Sequence, residues 1–243
     1  MIKSRVYLAG ALLVAAAGAA NAGISVTPTV VSDYDFRGFT QTGNSPAFQL
    51  GVTYAHDSGF YAGLWGSNIN FGPGDPNVEV DLSSGFTFGD AKDGLAWDLG
   101  AVYYTYISGS QFNYPELYAG VTHGWFNAKL FYSWNFGNIH EAAYYISTTG
   151  TFPLPANFGL VVHAGYSGGS YWDKAVQGNG DTGGYFDWSV GATYTIGKFA
   201  LGLTYIDGSD WSRIPTASNP DHIFDSQSKV VGSISTTLPW ASE

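Results

Sequence analysis

Residues 78–89 carry the feature that most restricts the fold of this chain. Val78, Val80, Leu82, Phe86 and Phe88 share one parity, and Glu79, Asp81, Ser83, Gly85 and Thr87 share the other. Successive side chains of a strand point to opposite faces, so such a segment has one greasy face and one wet face. The pattern recurs about twelve times. Phe48, Leu50, Val52 and Tyr54 alternate with Gln49, Gly51 and Thr53 in 46–56. In 126–136, Phe126, Ala128, Leu130, Tyr132, Trp134 and Phe136 alternate with Asn127, Lys129, Ser133 and Asn135. In 184–196, Phe186, Trp188, Val190, Ala192, Tyr194 and Ile196 alternate with Asp187, Ser189, Gly191, Thr193 and Thr195. Further strands are predicted at 24–36, 59–70, 95–106, 115–123, 142–152, 157–167, 198–207 and 228–240. Most are about as long as a tilted strand needs to be to cross a bilayer.

The connections separate a membrane barrel from a soluble sandwich. Short links at Asp57-Ser58, Asp90–Asp93, His123–Trp125, Pro153–Ala156 and Gly197 alternate with longer ones at 37–45, 72–77, 107–114, 137–141, 168–183 and 208–227. Bacterial barrels alternate periplasmic turns and extracellular loops in this way, and an even strand number leaves both termini on the periplasmic side. A sandwich with Greek-key links has no reason to show this parity.

Alternation alone does not say which face is inside. Aromatic residues make up 17% of the chain and charged residues 12%, the latter about half the share of an ordinary soluble domain. The interior of a twelve-stranded barrel is too small for so many Phe, Trp and Tyr side chains, whereas lipid and the two interfacial belts accommodate them. No stretch after residue 22 has the length of apolar sequence that a transmembrane helix requires.

The N-terminus predicts export. Lys3 and Arg5 precede an apolar run from Val6 to Gly18, and Ala20-Asn21-Ala22 is a small-x-small cleavage signature. Residues 1–22 therefore read as a cleaved signal peptide, and 23–243 as one outer-membrane β-barrel domain. Cysteine is absent, which removes thiol chemistry and Cys-metal sites. The net charge of −10 becomes −12 without Lys3 and Arg5, which argues against nucleic acid as a partner. The five histidines lack metal-ligand spacing, Glu79 with Asp81 alone is a weak cation site, and no phosphate-binding loop is present, so no cofactor is expected.

Several motifs resemble one family, the TorF-type porins of proteobacteria. The densest block is Ser32-Asp33-Tyr34-Asp35-Phe36-Arg37-Gly38, followed by Gln41-Thr42, Pro46-Ala47 and Tyr54-Ala55-His56. It continues through Gly59-Phe60-Tyr61-Ala62-Gly63 and Trp65-Gly66-Ser67-Asn68, with weaker echoes at Glu79-Val80-Asp81, Asp98-Leu99-Gly100, Tyr103-Tyr104-Thr105-Tyr106 and Glu116-Leu117-Tyr118-Ala119-Gly120. The resemblance spans the mature chain. It implies an outer-membrane barrel acting as a porin, handled by the barrel-insertion machinery. Such barrels finish on an aromatic residue, whereas this chain ends Leu238-Pro239-Trp240-Ala241-Ser242-Glu243 and leaves Trp240 as the substitute signal.

With Val30 facing lipid, Asp33, Asp35 and Arg37 are expected on the lumen face of strand one. Glu79, Asp81, Glu116 and Asp187 are expected near the same extracellular mouth. Rings of carboxylates in a narrow aqueous passage favour cations, with Arg37 shaping the constriction. The alternative is an ion-pair network that only fills the lumen. Lumen-facing Tyr104 and Tyr118 add possible cation–π contacts for an organic ammonium. A lipid hydrolase is the second class. His163 and Ser167 share a face but stand roughly 13 Å apart along a strand, and no nucleophile motif marks a serine. His56 and His123 read as a solvated and an interfacial residue. A third class is a sealed structural or adhesive barrel presenting the loops at Tyr171-Trp172 and Trp211–Phe224.

The expectation is an all-β, antiparallel up-and-down transmembrane barrel of about twelve strands, with ten or fourteen as the range. It would pass small hydrophilic solutes through a bore narrower than that of larger porins. The sequence leaves the solute and the oligomeric state open.

Overall fold

A computed structural model describes residues 23–176, 184–209 and 227–240. The signal-peptide reading, the Trp211–Phe224 loop and the last three residues lie outside the described residues. Twelve long strands form one closed barrel, with a two-residue pair set inside the first loop. In chain order they are β1 (Gly23–Val31), the pair β2 (Asp35–Phe36) and β3 (Phe39–Thr40), β4 (Ala47–Ala55), β5 (Phe60–Asn68), β6 (Val78–Gly89) and β7 (Ala96–Tyr106). Then follow β8 (Tyr114–His123), β9 (Phe126–Ser133), β10 (Ala143–Pro153), β11 (Phe158–Gly168), β12 (Tyr185–Ile196), β13 (Phe199–Gly208) and β14 (Lys229–Thr236). Every long strand pairs antiparallel with its neighbours in sequence, and β1 closes the ring against β14. Closure removes the unpaired edges an open sheet would present, a necessity where no water can satisfy them.

The two parities separate as the sequence predicts. Ile24, Phe48, Leu82, Leu117 and Val230 point outward, and Phe186 near the loop end and Leu203 at mid-strand are 63% and 61% exposed. Thr29, Gln49, Ser67, Ser133 and Ser147 are buried inside. A soluble barrel would show the reverse. Aromatic pairs mark both rims: Trp125–Phe152 and Phe158–Tyr194 (4.8 Å each) at the short-turn end, Tyr166–Phe186 (4.7 Å) and Trp188–Tyr205 (5.5 Å) at the loop end. No helix among the described residues is long and apolar enough to cross a membrane.

Three strand boundaries differ from expectation. The first strand does not run to 36. β1 stops at Val31, and the chain folds back on itself through Asp35↔Thr40 and Phe36↔Phe39. Arg37 and Gly38 between them both have positive φ, 53° and 87°, the geometry of a tight primed hairpin turn. Asp33, Asp35 and Arg37 therefore belong to a loop, not to the lumen face of a strand. The strand expected over 126–136 ends at Ser133, because Gly137 at φ 58° turns the chain. Phe136, expected toward lipid, is consequently buried against Tyr114 (4.7 Å) and Tyr171 (4.6 Å). The final strand, expected to reach 240, ends at Thr236, and Leu238 returns as a single bridge to Val26. Pro28, which has no N–H for a ladder, lies in that gap.

After β11 the chain enters a short helix, α1 (Ser170–Val176), and Trp172 packs on Tyr185 (4.7 Å).

Candidate functional site

The barrel is a cup. At the short-turn end the inward residues are small and half-buried, among them Thr53, Gly63, Thr87, Thr122 and Asn127. Toward the loop end the interior is closed by loop 32–46 and by side chains from the wall that meet it. Phe36 packs on Tyr104 (5.8 Å), Phe39 on Tyr185 (4.9 Å) and Tyr34 on Trp65 (5.2 Å).

Charge fastens this loop. The Arg37 guanidinium donates from Nη1 to Oε1 of Glu116 (2.9 Å) and from Nη2 to Oε2 (2.7 Å), and the Tyr104 hydroxyl adds a third bond to Oε2 (3.0 Å). Arg37 also lies 4.4 Å from the Tyr145 ring, 4.6 Å from Phe36 and 5.1 Å from Phe131. A planar cation with a fork of donors fits this place as an ammonium would not. Lys229, on the last strand, bridges Asp33 (2.7 Å) and Asp35 (2.8 Å). Asp33 Oδ1 also accepts from the Thr40 and Thr42 hydroxyls, and Asp35 accepts from the Gly38 N–H (2.9 Å). Burial pushes the Asp35 carboxyl above its usual range, and Lys229 reverses this only in part.

Deeper in the cup, Lys129 pairs with Asp98 (2.6 Å) and faces the Tyr118 ring (4.7 Å), and Tyr61 donates to Asp98 (2.6 Å). On the opposite wall, Asp187 Oδ1 meets the Tyr145 hydroxyl (3.0 Å) and His163 Nε2 (3.0 Å), and His163 Nδ1 lies 3.3 Å from the Thr149 hydroxyl. The hydroxyls bonded to His163 are thus those of Tyr145 and Thr149, and Ser167 is not among them. This network ties His163 to Tyr145, Thr149 and Asp187 and presents no serine to it.

The seven residues singled out in the sequence fall in this one region. Asp33, Arg37, Glu79, Asp81, Glu116 and Asp187 are buried inside the cup, and Asp35 is half-buried beside Lys229. The sequence reading missed their cationic partners. Lys129 was visible on the wet parity of its strand, but nothing in the pattern placed it opposite Asp98. Lys229 gave no local signal, since Asp33 and Asp35 reach it only when the barrel closes β14 against β1. Glu79 is buried on the lumen face of β6. Asp81 and Ser83 follow on the same face and line a cavity of about 40 Å³ enclosed largely by aromatic rings. Among the described residues, no three His, Asp or Glu side chains converge as metal ligands.

Comparison with known proteins places this geometry. The chain belongs to the family described as "Bacterial protein of unknown function (Gcw_chp)", whose model matches residues 15–238. No curated protein sequence matches it. Among solved structures, a KdgM porin is similar with a TM-score of 0.55 at 8% identity, covering 89% of this chain and 99% of that one. A NanC porin gives 0.52 at 10% identity, over 88% of this chain and 98% of the other. KdgM porin in complex with disordered oligogalacturonate gives 0.52 at 9% identity, covering 88% and 97%. At these identities the likeness is one of fold.

Proposed function

We propose that this member of the Gcw_chp family is a narrow outer-membrane channel for small hydrophilic solutes, with loop 32–46 as its constriction and a preference for cations. The observation that carries the reading is the inverted barrel: apolar side chains outward around the wall, hydroxyls and charges inward, and one loop drawn into the bore. The porin-fold neighbours support the same reading, as do the motifs at 32–68 that resemble TorF-type porins. Gly23 of the first strand and Thr236 of the last lie at the short-turn end, which in this reading faces the periplasm after residues 1–22 are removed. Insertion by the barrel-assembly machinery would use Trp240, whose indole N–H donates to Thr236 (2.9 Å).

The cation preference rests on a charge imbalance. Asp33, Asp35, Glu79, Asp81, Asp98, Glu116 and Asp187 face into the cup against Arg37, Lys129 and Lys229. A negative lumen with low-dielectric walls concentrates cations. Single-channel recording of the refolded mature chain in a planar bilayer under a salt gradient tests this. Discrete steps with a cation-selective reversal potential are expected. A folded, inserted barrel that passes no current overturns the channel and favours the sealed structural barrel. The tight packing around Glu116 and Phe131, 0% and 1% exposed, gives that second reading its support.

A further inference from the structure

Asp187 differs from the other ion-paired carboxylates of the lumen. Glu116 pairs with Arg37, Asp98 with Lys129, and Asp33 and Asp35 with Lys229, all cations that keep their charge at neutral pH. Among the described residues, the basic partner of Asp187 is the imidazole of His163, 3.0 Å away. An imidazole is the side chain whose charge changes between about pH 5 and 8. Asp187 is therefore in an ion pair only while both nitrogens of the His163 ring carry hydrogen. The surroundings accept either state. His163 Nε2 faces Asp187 Oδ1, so this nitrogen carries a hydrogen in both. Nδ1 lies 3.3 Å from the Thr149 hydroxyl. A hydroxyl donates to a bare ring nitrogen and accepts from a protonated one, so Thr149 serves both states by rotating its hydrogen.

The pair sits between the open half of the cup and the constriction. The His163 side chain is 20% exposed and that of Asp187 5%, so the imidazole is the more open of the two to water. Its direct strand partners, Thr149 and Ser189, are half-buried. Asp187 lies under the loop tip: a Cβ built on Gly38 would stand 2.9 Å from the Asp187 Cβ. The Tyr145 hydroxyl bonds both His163 Nε2 (2.9 Å) and Asp187 Oδ1 (3.0 Å), and Arg37 lies 4.4 Å from the ring of that tyrosine. Arg37 is committed to Glu116. Asp35 and Tyr185 are the other titratable groups that feel Asp187. Lys229 bridges Asp35, and a phenol stays neutral where an imidazole titrates. The proton on His163 thus decides whether the carboxylate under the loop tip is compensated.

We propose that His163 is a specificity-determining residue of this lumen. Uncharged, it leaves the Asp187 carboxylate uncompensated at the constriction; protonated, it neutralises that charge and weakens the preference for cations. This deepens the cation-leaning channel reading and rests on it for its consequence, while proton uptake by itself needs no conduction. The refolded mature barrel gives both readouts between about pH 5 and 8. One is the reversal potential in a planar bilayer under a salt gradient, the other the imidazole NMR signals in detergent. Cation selectivity should fall with pH in the unsubstituted channel. In His163→Gln, whose amide donates to Asp187 without gaining a charge, most of that fall should disappear. Asp187→Asn at the upper pH should show the selectivity of the unsubstituted channel at the lower one. The imidazole signal that His163→Gln removes should move between two limits in the unsubstituted barrel. If His163→Gln does not fold, His163→Asn takes its place in both measurements. A signal that keeps its neutral position throughout, or a selectivity whose pH response is unchanged in the uncharged variant, overturns the proposal. A barrel that carries no current loses the channel reading and this role with it, even where His163 titrates. A conducting channel with an unchanged pH response loses the role alone.

Discussion

Arg37 and Glu116 are 79 positions apart in sequence, yet they meet in a two-pronged ion pair of 2.9 and 2.7 Å inside the barrel, toward its loop end. Arg37 comes from the tip of the first loop and Glu116 from β8 across the bore. The pair pins the loop inside the cup.

Breaking one half of that pair leaves the other charge buried alone, which typically costs about 3–5 kcal/mol. Arg37→Ala and Glu116→Gln should each lower the apparent unfolding temperature in detergent. The double variant should lose less than the sum of the two, because neither charge is then stranded. Arg37→Lys should not restore the unsubstituted value, since one ammonium cannot make the fork or stack on Tyr145 and Phe36. In bilayers, Arg37→Ala should also raise the conductance if the loop sets the bore.

Lys229 neutralises Asp33 and Asp35 together. Lys229→Gln should shift the reversal potential further toward cations, because both carboxylates lose their partner. Asp33→Asn with Asp35→Asn should shift it the other way. Unchanged selectivity in both would mean that these carboxylates do not face the permeation path.

Asp35 makes a pH-dependent prediction. Burial holds its carboxyl above the usual value, so ionising it in the folded state is unfavourable. That cost is absent below the unfolded carboxylate pKa of about 4 and fully present once pH has passed the raised folded value. Asp35→Asn should therefore be more stable than the unsubstituted barrel at neutral pH, with the gap closing as the pH falls through the carboxylate range. Unfolding temperatures of both proteins across that range check the sign.

Tyr145 reaches Asp187 and Arg37 by passing over Gly165, where a Cβ would collide with its hydroxyl. Gly165→Ala should destabilise the barrel by about 1–3 kcal/mol, the usual range for overpacking. Gly165→Ala with Tyr145→Phe should recover part of that loss. Equilibrium urea unfolding of the barrel from lipid vesicles measures both.

The orientation of the wall is tested by Leu203→Arg and Ser235→Lys. Leu203 points outward at mid-strand, and a charge there should cost about 2–4 kcal/mol of folding into a bilayer. Ser235 faces the lumen and should accept lysine with little change. Equal penalties would contradict the inverted barrel.

The sequence alone determined the wall of this protein, and for a local reason. Side-chain direction in a strand has period two, so Leu82 and Phe86 on one face and Glu79 and Asp81 on the other are legible from residues 78–89 by themselves. Alternating short and long links then imply a meander, and the aromatic load turns its greasy face outward. The same parity argument brought Glu116 and Asp187 to one end of the lumen, whereas for Asp33 it assumed a strand that in fact stops at Val31. Tertiary structure alone decided what those residues do there. The turn at Arg37-Gly38 folds back into the bore because the lumen offers Glu116, Tyr104 and Tyr145 to receive it, and none of these lies near Arg37 in the chain. Lys229 meets Asp33 only because the ring closes β14 against β1. Pairing across a closed barrel depends on register and circumference, which are properties of the whole ring and leave no mark on any one strand.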